Sequence, residues 1–206
     1  MKVLLLNGSP NTNGCIYTAL CEVAKTINKE GIETEIIQIG SLNIQGCNSC
    51  WKCKEIQKCI FDDIVNEFAV RFAECDGLVI GSPVNFSSAN GTLVSFLDRL
   101  FFSTFFDKRM KVGASVVNAR RGGCSTTFDV LNKYFTIAGM PIAASQYWND
   151  LHGYRPEDAI KDEEGMQTMR VLGRNMAFLI KSIALGKEKY GLPEKEVRVF
   201  TDFIRN

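Results

Sequence analysis

The stretch KVLLLNGSPNTNGCIYTAL, residues 2–20, decides the predicted fold. Its residues 3–6 form a continuous apolar run, which is typical of a central parallel strand buried on both faces. A polar loop with two glycines follows, and from Ile16 onward apolar residues recur at the spacing of one helix face. Free backbone N–H groups and the positive end of the helix dipole meet at such a junction. The stretch therefore predicts either an anion site or an ordinary strand-to-helix turn.

The anion predicted for this loop is the monophosphate of a mononucleotide. A Walker motif requires a lysine, and the loop has none. The loop also lacks the GxGxxG pattern of dinucleotide-binding folds. A phosphate would then be held by backbone amides and by hydroxyl or amide side chains. The candidate residues for this contact are Ser9, Asn11, Asn13, Gly14, Cys15 and Ile16.

Four more strands are predicted after this unit, at residues 33–39, 76–81, 111–118 and 141–147. Helical patterns separate them, and a long helix is predicted from about residue 162. Short crossovers between parallel strands specify an α/β fold with a doubly wound five-stranded parallel sheet, in the order 2-1-3-4-5. Ligands bind such sheets beyond the carboxyl ends of the strands. The loops that matter begin at Gly8, Gly40, Ser82, Ala119 and Trp148, and they are expected on one rim.

Length and charge exclude several classes of function. A chain of 206 residues suits a single domain, and a net charge of +1 argues against nucleic acid or an anionic membrane as the main partner. No apolar run is long enough to span a membrane, and the N-terminus enters a strand directly, without a signal peptide. A cytoplasmic location is expected. Eight cysteines in such a compartment indicate metal or redox chemistry more than disulfides.

Four of these cysteines lie within 13 residues, in the loop 40–63 that follows the second strand. Cys47, Cys50, Cys53 and Cys59 have the spacing C-x2-C-x2-C-x5-C. Thiolates at three-residue intervals, with a fourth to close the loop, suit a [4Fe–4S] cluster, in which each iron takes one ligand. Structural zinc usually draws on two separate C-x2-C pairs. The cluster, a zinc site and free redox thiols remain the three interpretations, and the loop's position predicts a metal site on the same rim as the phosphate loop.

Several motifs together carry a family resemblance. GSP in the first loop, the cysteine motif followed by Asp62-Asp63, and then SPV (residues 82–84) and FLDR (residues 96–99) resemble iron–sulfur flavoproteins of the NADPH-dependent FMN reductase superfamily. The resemblance covers about the first 150 residues. It implies a flavodoxin-like fold, bound FMN, a [4Fe–4S] cluster and a homodimer or homotetramer in which subunits share flavin sites.

The resemblance also implies which residues surround the flavin ring. Backbone groups near the ends of the third and fourth strands would contact it, and two glycines would allow close approach of the backbone. The alternative for these positions is a plain strand-to-helix turn, and for Arg120 and Arg121 a solvated pair. The cofactor residues predicted beyond the first loop are Pro83, Val84, Asn85, Phe86, Ala119, Arg120, Gly122 and Gly123.

The function predicted from these features is an FMN-dependent oxidoreductase that couples FMN to the cluster, with NAD(P)H as a possible donor. No side chain is predicted to be catalytic, because the flavin supplies the chemistry. One alternative is an NAD(P)H-dependent FMN or quinone reductase without a cluster; another is an electron carrier without its own substrate. The redox partner is expected to be a small molecule or a ferredoxin-type protein, and the chain a single domain, residues 1–206.

Overall fold

A five-stranded parallel sheet in the order β2-β1-β3-β4-β5 forms the centre of the molecule. The computed structural model describes residues 1–199 and 201, so the last residues of the predicted domain lie outside the described part. The predicted sheet and strand order are confirmed. The strands are β1 (Lys2–Asn7), β2 (Glu33–Gln38), β3 (Gly77–Pro83), β4 (Val112–Ala119) and β5 (Asp150–His152).

Helices cover both faces of the sheet because its central strands are apolar on both sides. Alternate residues of β1 point to opposite faces, so Val3 and Leu5 pack under one helical layer and Leu4 and Leu6 under the other. The first layer consists of α1 and α7, and the second of α3, α4 and α5. The helices are α1 (Cys15–Lys29), α2 (Cys53–Ile56), α3 (Ile64–Glu74), α4 (Gly91–Ser103), α5 (Cys124–Ile137), α6 (Pro156–Lys161) and α7 (Glu163–Tyr190).

The fifth strand differs from the prediction. Residues 141–147 were expected to form it, but they pair with β4 only through a bridge between Ile142 and Gly113, and β5 itself is Asp150–His152. Ile142 pairs with Gly113 of β4 and Asp150 pairs with Val117. Ile142 and Asp150 are eight positions apart in the chain, whereas Gly113 and Val117 are four positions apart. The additional chain length between Ile142 and Asp150 loops away from the sheet. We call residues 144–148 the excursion.

Polar contacts to α7 explain why the chain leaves the sheet here. Asn175 Nδ2 donates to the carbonyl oxygen of Ala144 at 2.8 Å, and Gln146 Nε2 bonds Gln167 Oε1 at 3.0 Å. The last rim loop therefore begins after His152, not at Trp148 as predicted, and His152 is a strand residue rather than a loop residue.

The ends of two helices follow from local capping. Asp63 caps α3 by accepting a hydrogen bond from the backbone N–H of Val65 at 3.1 Å. Helix α4 ends at Ser103, although the apolar pattern of its sequence continues to Phe106, because Lys108 Nζ donates to the carbonyl oxygen of Thr104 at 2.6 Å and turns the chain back. Among the described helices, none has both the length and the apolar character needed to cross a membrane.

Candidate functional site

The loop after β1 is held in shape by one buried side chain. Asn7 is 1% exposed, and its Nδ2 donates to the carbonyl oxygen of Thr12 at 3.1 Å and to Gln38 Oε1 at 2.6 Å. Its Oδ1 accepts from the backbone N–H of Ser9 at 3.1 Å. Gln38 Nε2 in turn donates to the carbonyl oxygen of Ser9 at 2.7 Å. The end of β1 and the end of β2 therefore fix the loop from below.

The N-terminus of α1 is open toward solvent beside this loop. Gly14 precedes the helix, and no side chain caps the first-turn N–H groups. These groups and the hydroxyl and amide side chains of the loop face a cleft of about 900 Å³. We call it the rim cleft. Of the predicted cofactor residues, it is lined by Ser9, Asn11, Asn13, Gly14, Cys15, Ile16, Pro83, Val84, Ala119 and Arg120.

The rim cleft also contains residues outside the predicted set of cofactor residues. The loop after β5 contributes Gly153, Tyr154 and Arg155, so two arginines, Arg120 and Arg155, adjoin a loop that has no cation of its own. The ring of Tyr154 is 75% exposed. The arrangement suits an anionic group at the helix N-terminus and a flat ring further along the cleft.

The other four predicted cofactor residues lie beside the rim cleft rather than in its wall. Asn85 pairs with Ser88 in a tight turn that leaves Phe86 fully exposed. Gly123 has a φ of +92°, and a Cβ there would lie 2.9 Å from Ser87 Oγ and from Val84 Cγ1. Its glycine identity is thus explained by packing against this turn. Nothing crowds Gly122, which lines a second cleft with Gly123.

This second cleft lies between the loop 121–125, the edge formed by residues 147–152 and the start of α7. Tyr147 and Trp148 of the excursion lie on its wall with ring centroids 5.0 Å apart, and each ring is more than half exposed. Burial, together with the charge of Asp150 and a hydrogen bond to it, raises the pKa of Cys124 to about 12. Cys124 is therefore a neutral thiol near pH 7, not a nucleophile.

All four cysteines of the motif line one cavity, which we call the cysteine cavity. Cys53 and Cys59 are buried, whereas Cys47 and Cys50 are exposed. Burial raises the pKa of the Cys53 thiol, and the nearby thiols of the other three raise it further. Among the described residues, no group of three or more histidine, cysteine or acidic side chains is gathered closely enough to hold a metal ion.

Arg99 of α4 forms the floor of the cysteine cavity. Its side chain is 1% exposed, its Nε–H donates to Cys59 Sγ at 3.2 Å, and its terminal nitrogens bond both oxygens of Asp63 at 2.6 and 2.9 Å. Burial acts to lower the pKa of Arg99, but the hydrogen bonds to Asp63 and Cys59 outweigh it and raise the pKa.

The cysteine cavity is separate from the rim cleft, and a cluster on the same rim as the phosphate loop stays a prediction. The cysteine loop begins at the rim, with Gly40 against Gly8, and then runs beside α4, where Gly46 lies near Ser95 and Cys59 near Arg99. Eight residues separate Arg99 from the rim end of α4, which corresponds to about 12 Å along the helix. No described residue lines both the rim cleft and the cysteine cavity.

The three lysines between the cysteines do not contribute to the wall of the cysteine cavity. Lys52 Nζ pairs with Glu55 at 2.9 Å, and Lys54 Nζ lies 4.3 Å from the ring centroid of Trp51. Neither of them lines the cysteine cavity, nor does Lys58. Arg99 is the cation that contacts a cysteine sulfur there.

Comparison with known proteins identifies the family. Residues 1–153 match the family described as NADPH-dependent FMN reductase. The chain belongs to this family. An iron–sulfur flavoprotein of Methanocaldococcus jannaschii is 34% identical over 191 residues, covering 89% of this chain and 99% of that protein. An iron–sulfur flavoprotein of Methanosarcina thermophila is 28% identical over 196 residues, covering 92% of this chain and 100% of that protein. The resemblance stated from the motifs is confirmed.

Solved structures agree on the fold. RosB with a bound intermediate matches with a TM-score of 0.69 at 16% identity, covering 100% of this chain and 94% of RosB. A flavodoxin from the domain Archaea matches with a TM-score of 0.60 at 14% identity, covering 88% of this chain and 99% of that one. The fold is thus flavodoxin-like, and family membership makes the chain a flavin-dependent oxidoreductase.

Besides the cleft residues named above, Asn7, Gln38 and Arg99, which hold the loops in place, also lay outside the predicted site set. Asn7 and Gln38 each end a strand, and a polar side chain at the end of the apolar run of β1 is the feature that indicates Asn7. Arg99 ends the FLDR motif that helped to carry the resemblance, but its contacts were not indicated, because its partners lie 36 and 40 residues earlier in the chain.

Replacing Asn7 by alanine is expected to weaken FMN binding without unfolding the protein. The change removes three hydrogen bonds that shape the loop and leaves the buried backbone N–H of Ser9 without its acceptor, at a cost of about 1–3 kcal/mol. FMN titration followed by flavin fluorescence is expected to show a Kd raised roughly tenfold or more. Asn28→Ala is the matched control, since Asn28 bonds Thr34 at the opposite rim. An unchanged Kd in Asn7→Ala would remove Asn7 from the site.

Proposed function

We propose that this protein is an FMN-dependent oxidoreductase that exchanges electrons between FMN in the rim cleft and a [4Fe–4S] cluster on Cys47, Cys50, Cys53 and Cys59. The observation that carries the proposal is that these four cysteines line one cavity in a member of the FMN reductase family. When bound, FMN supplies the exchange between two-electron and one-electron transfer. The protein supplies position and electrostatics.

The rim cleft suits FMN in both of its parts. The phosphate would bind the free N–H groups at the start of α1, together with Ser9 and Asn13, with Arg120 and Arg155 nearby. The ring would lie toward Pro83 and Val84, under Tyr154. This assignment explains why the N-terminus of α1 lacks a side-chain cap.

The spacing of the cysteines favours a cluster over zinc. Structural zinc usually draws on two separate C-x2-C pairs, whereas this motif has three thiols at three-residue intervals and a fourth after them. A cubane takes one thiolate at each of its four irons. All four cysteines line one cavity, which supports this interpretation, and the exposed pair, Cys47 and Cys50, would leave such a cluster open to oxygen.

We propose that electrons pass between subunits of a homodimer or homotetramer. The rim cleft and the cysteine cavity share no described lining residue. Trp51, Phe102 and Phe105, close to the cysteine cavity, are 53, 43 and 49% exposed. Such an aromatic patch is typical of a protein interface. If a second copy covers this patch with the surface around its own rim cleft, its FMN would lie near the cluster.

The proposal also includes the electron donor and the cellular compartment. The second cleft, next to the flavin loop 119–123, has Arg121 and the ring pair Tyr147–Trp148 on its wall, which suits a nicotinamide cofactor or a quinone. NAD(P)H is therefore the proposed donor, with a ferredoxin-type protein as the one-electron partner. All eight cysteines are free, which suits a reducing compartment such as the cytoplasm.

Anaerobic purification of the full chain tests the proposal. We expect about four irons, four sulfides and one FMN per chain. Sedimentation is expected to show a dimer or tetramer, and NAD(P)H is expected to bleach the flavin absorbance. Zinc in place of iron, or four freely titrating thiols, would overturn the cluster and favour the reductase without one. Bleaching by reduced ferredoxin but not by NAD(P)H would favour an electron carrier.

A further inference from the structure

We propose that Arg99 is a positioning residue for the cluster: it donates a hydrogen bond to the Cys59 ligand sulfur and thereby raises the cluster's reduction potential. This inference rests on the proposed function, because it concerns a cluster bound by Cys59. The inference starts from an unusual feature of the core, a buried charged side chain. Arg99 is the largest fully buried side chain among the described residues, and it carries a charge in the apolar layer between α3 and α4.

All five N–H groups of Arg99 have partners in the cysteine loop. The terminal nitrogens bond both oxygens of Asp63 and the carbonyl oxygens of Gln45 and Phe61, the latter two at 3.3 and 3.4 Å. The remaining donor, Nε–H, is directed at Cys59 Sγ at 3.2 Å. A fork of this kind fixes the side chain in one orientation. The Nε–H is therefore held toward the sulfur by four other bonds.

Charge explains what this fifth hydrogen bond does. Asp63 alone balances the guanidinium, so the pair is neutral without any thiolate. A donor aimed at sulfur then stabilises negative charge on Cys59, and a hydrogen bond to a ligand sulfur favours the reduced, more negative cluster. Lys52, Lys54 and Lys58 do not line the cavity, so they do not substitute for it.

A purely structural role for Arg99 makes a different prediction. If Arg99 only fastens the loop to α4, its essential bond is the pair with Asp63, and removing either partner should affect the cluster in the same direction. If Arg99 acts on the sulfur, the two substitutions should diverge. Arg99→Lys keeps the charge but loses the fork that holds Nε–H toward Cys59. Asp63→Asn keeps the donor, and it can still cap α3 through its amide oxygen.

The experiment is a reductive titration of the anaerobic holoprotein, followed by the electron paramagnetic resonance of the reduced cluster. In Arg99→Lys, we expect iron and FMN at wild-type levels and an equilibrium constant for cluster reduction at least tenfold smaller, which is about 59 mV lower for a one-electron couple. In Asp63→Asn, we expect an unchanged or higher potential. Arg170→Lys is the matched control and should match the wild type, because Arg170 pairs with Glu22 in the α1–α7 layer, on the other face of the sheet from Arg99.

A third variant covers the case in which Arg99→Lys does not fold. Arg99→Met combined with Asp63→Asn leaves no unpaired buried charge, which is the main source of instability when one member of such a pair is removed. It should show the same tenfold loss. Equal shifts in Arg99→Lys and Asp63→Asn, or wild-type potentials in both with iron present, would overturn the inference alone. A wild-type protein without iron would overturn the proposed function, and this inference with it.

Discussion

Replacing Cys53 by alanine is expected to abolish cluster binding while FMN stays bound. Cys53 begins α2, is 6% exposed and lies among the other three thiols of the cavity. Without it, one iron has no protein ligand, and a cluster with an open corner is lost during purification. The rim cleft shares no described residue with the cysteine cavity, so the flavin site is untouched.

The measurement is iron, sulfide and FMN per chain after anaerobic purification. We expect iron to fall from about four per chain to less than one, with FMN unchanged at about one. Cys75→Ala is the matched control, because Cys75 is equally buried but packs among Phe72 and its neighbours, away from the cavity. It should retain all of its iron. Full iron in Cys53→Ala would mean that another group holds the cluster.

Replacing Gly40 by alanine is expected to cause the largest loss of FMN. Gly40 follows β2 and packs directly on the start of the phosphate loop, where a Cβ would lie 2.2 Å from the carbonyl oxygen of Gly8. The obstacle is backbone, so no side-chain rotation relieves it. The loop from Gly8 onward must shift, at a cost of about 1–3 kcal/mol in stability, and the phosphate contacts shift with it.

Flavin content and a urea titration measure these two effects. We expect Gly40→Ala to purify with little flavin and to bind added FMN at least roughly a hundredfold more weakly, equivalent to about 3 kcal/mol. Gly186→Ala in α7 is the control, since nothing lies within 4 Å of its added Cβ, and alanine should strengthen that helix. Wild-type FMN affinity in Gly40→Ala would contradict the prediction, because it would mean that the loop from Gly8 can move away from residue 40 without losing FMN.

The sequence predicted best the features that depend on neighbouring residues. The apolar run of β1, the polar loop and the helix spacing from Ile16 are local, and they led to the sheet, its order and most of the rim cleft. The cysteine spacing is local as well. The four cysteines do line one cavity, although whether a cluster occupies it stays a prediction.

The features that were missed or wrong depend on contacts between distant residues. The path of the cysteine loop along α4 is fixed by Arg99 and Asp63, which are 36 residues apart in the chain. The excursion leaves the sheet because side chains of α7 bond it, and nothing within residues 141–147 indicates those partners. Hydrophobic periodicity identifies which elements form, but not where an irregular segment lies on them.

Because the edge strand is interrupted, the segment that lines the second cleft can vary in sequence while the sheet stays the same. The chain pairs with β4 before the excursion, at Ile142, and again after it, at Asp150, so the sheet is closed on both sides of the segment. Insertions, deletions or new rings in residues 144–148 then alter the wall of the second cleft without disturbing the phosphate loop or the cysteines. Members of the family with the same scaffold can in this way differ in what they reduce, and exchanging this segment between them offers a direct route to altered substrate choice.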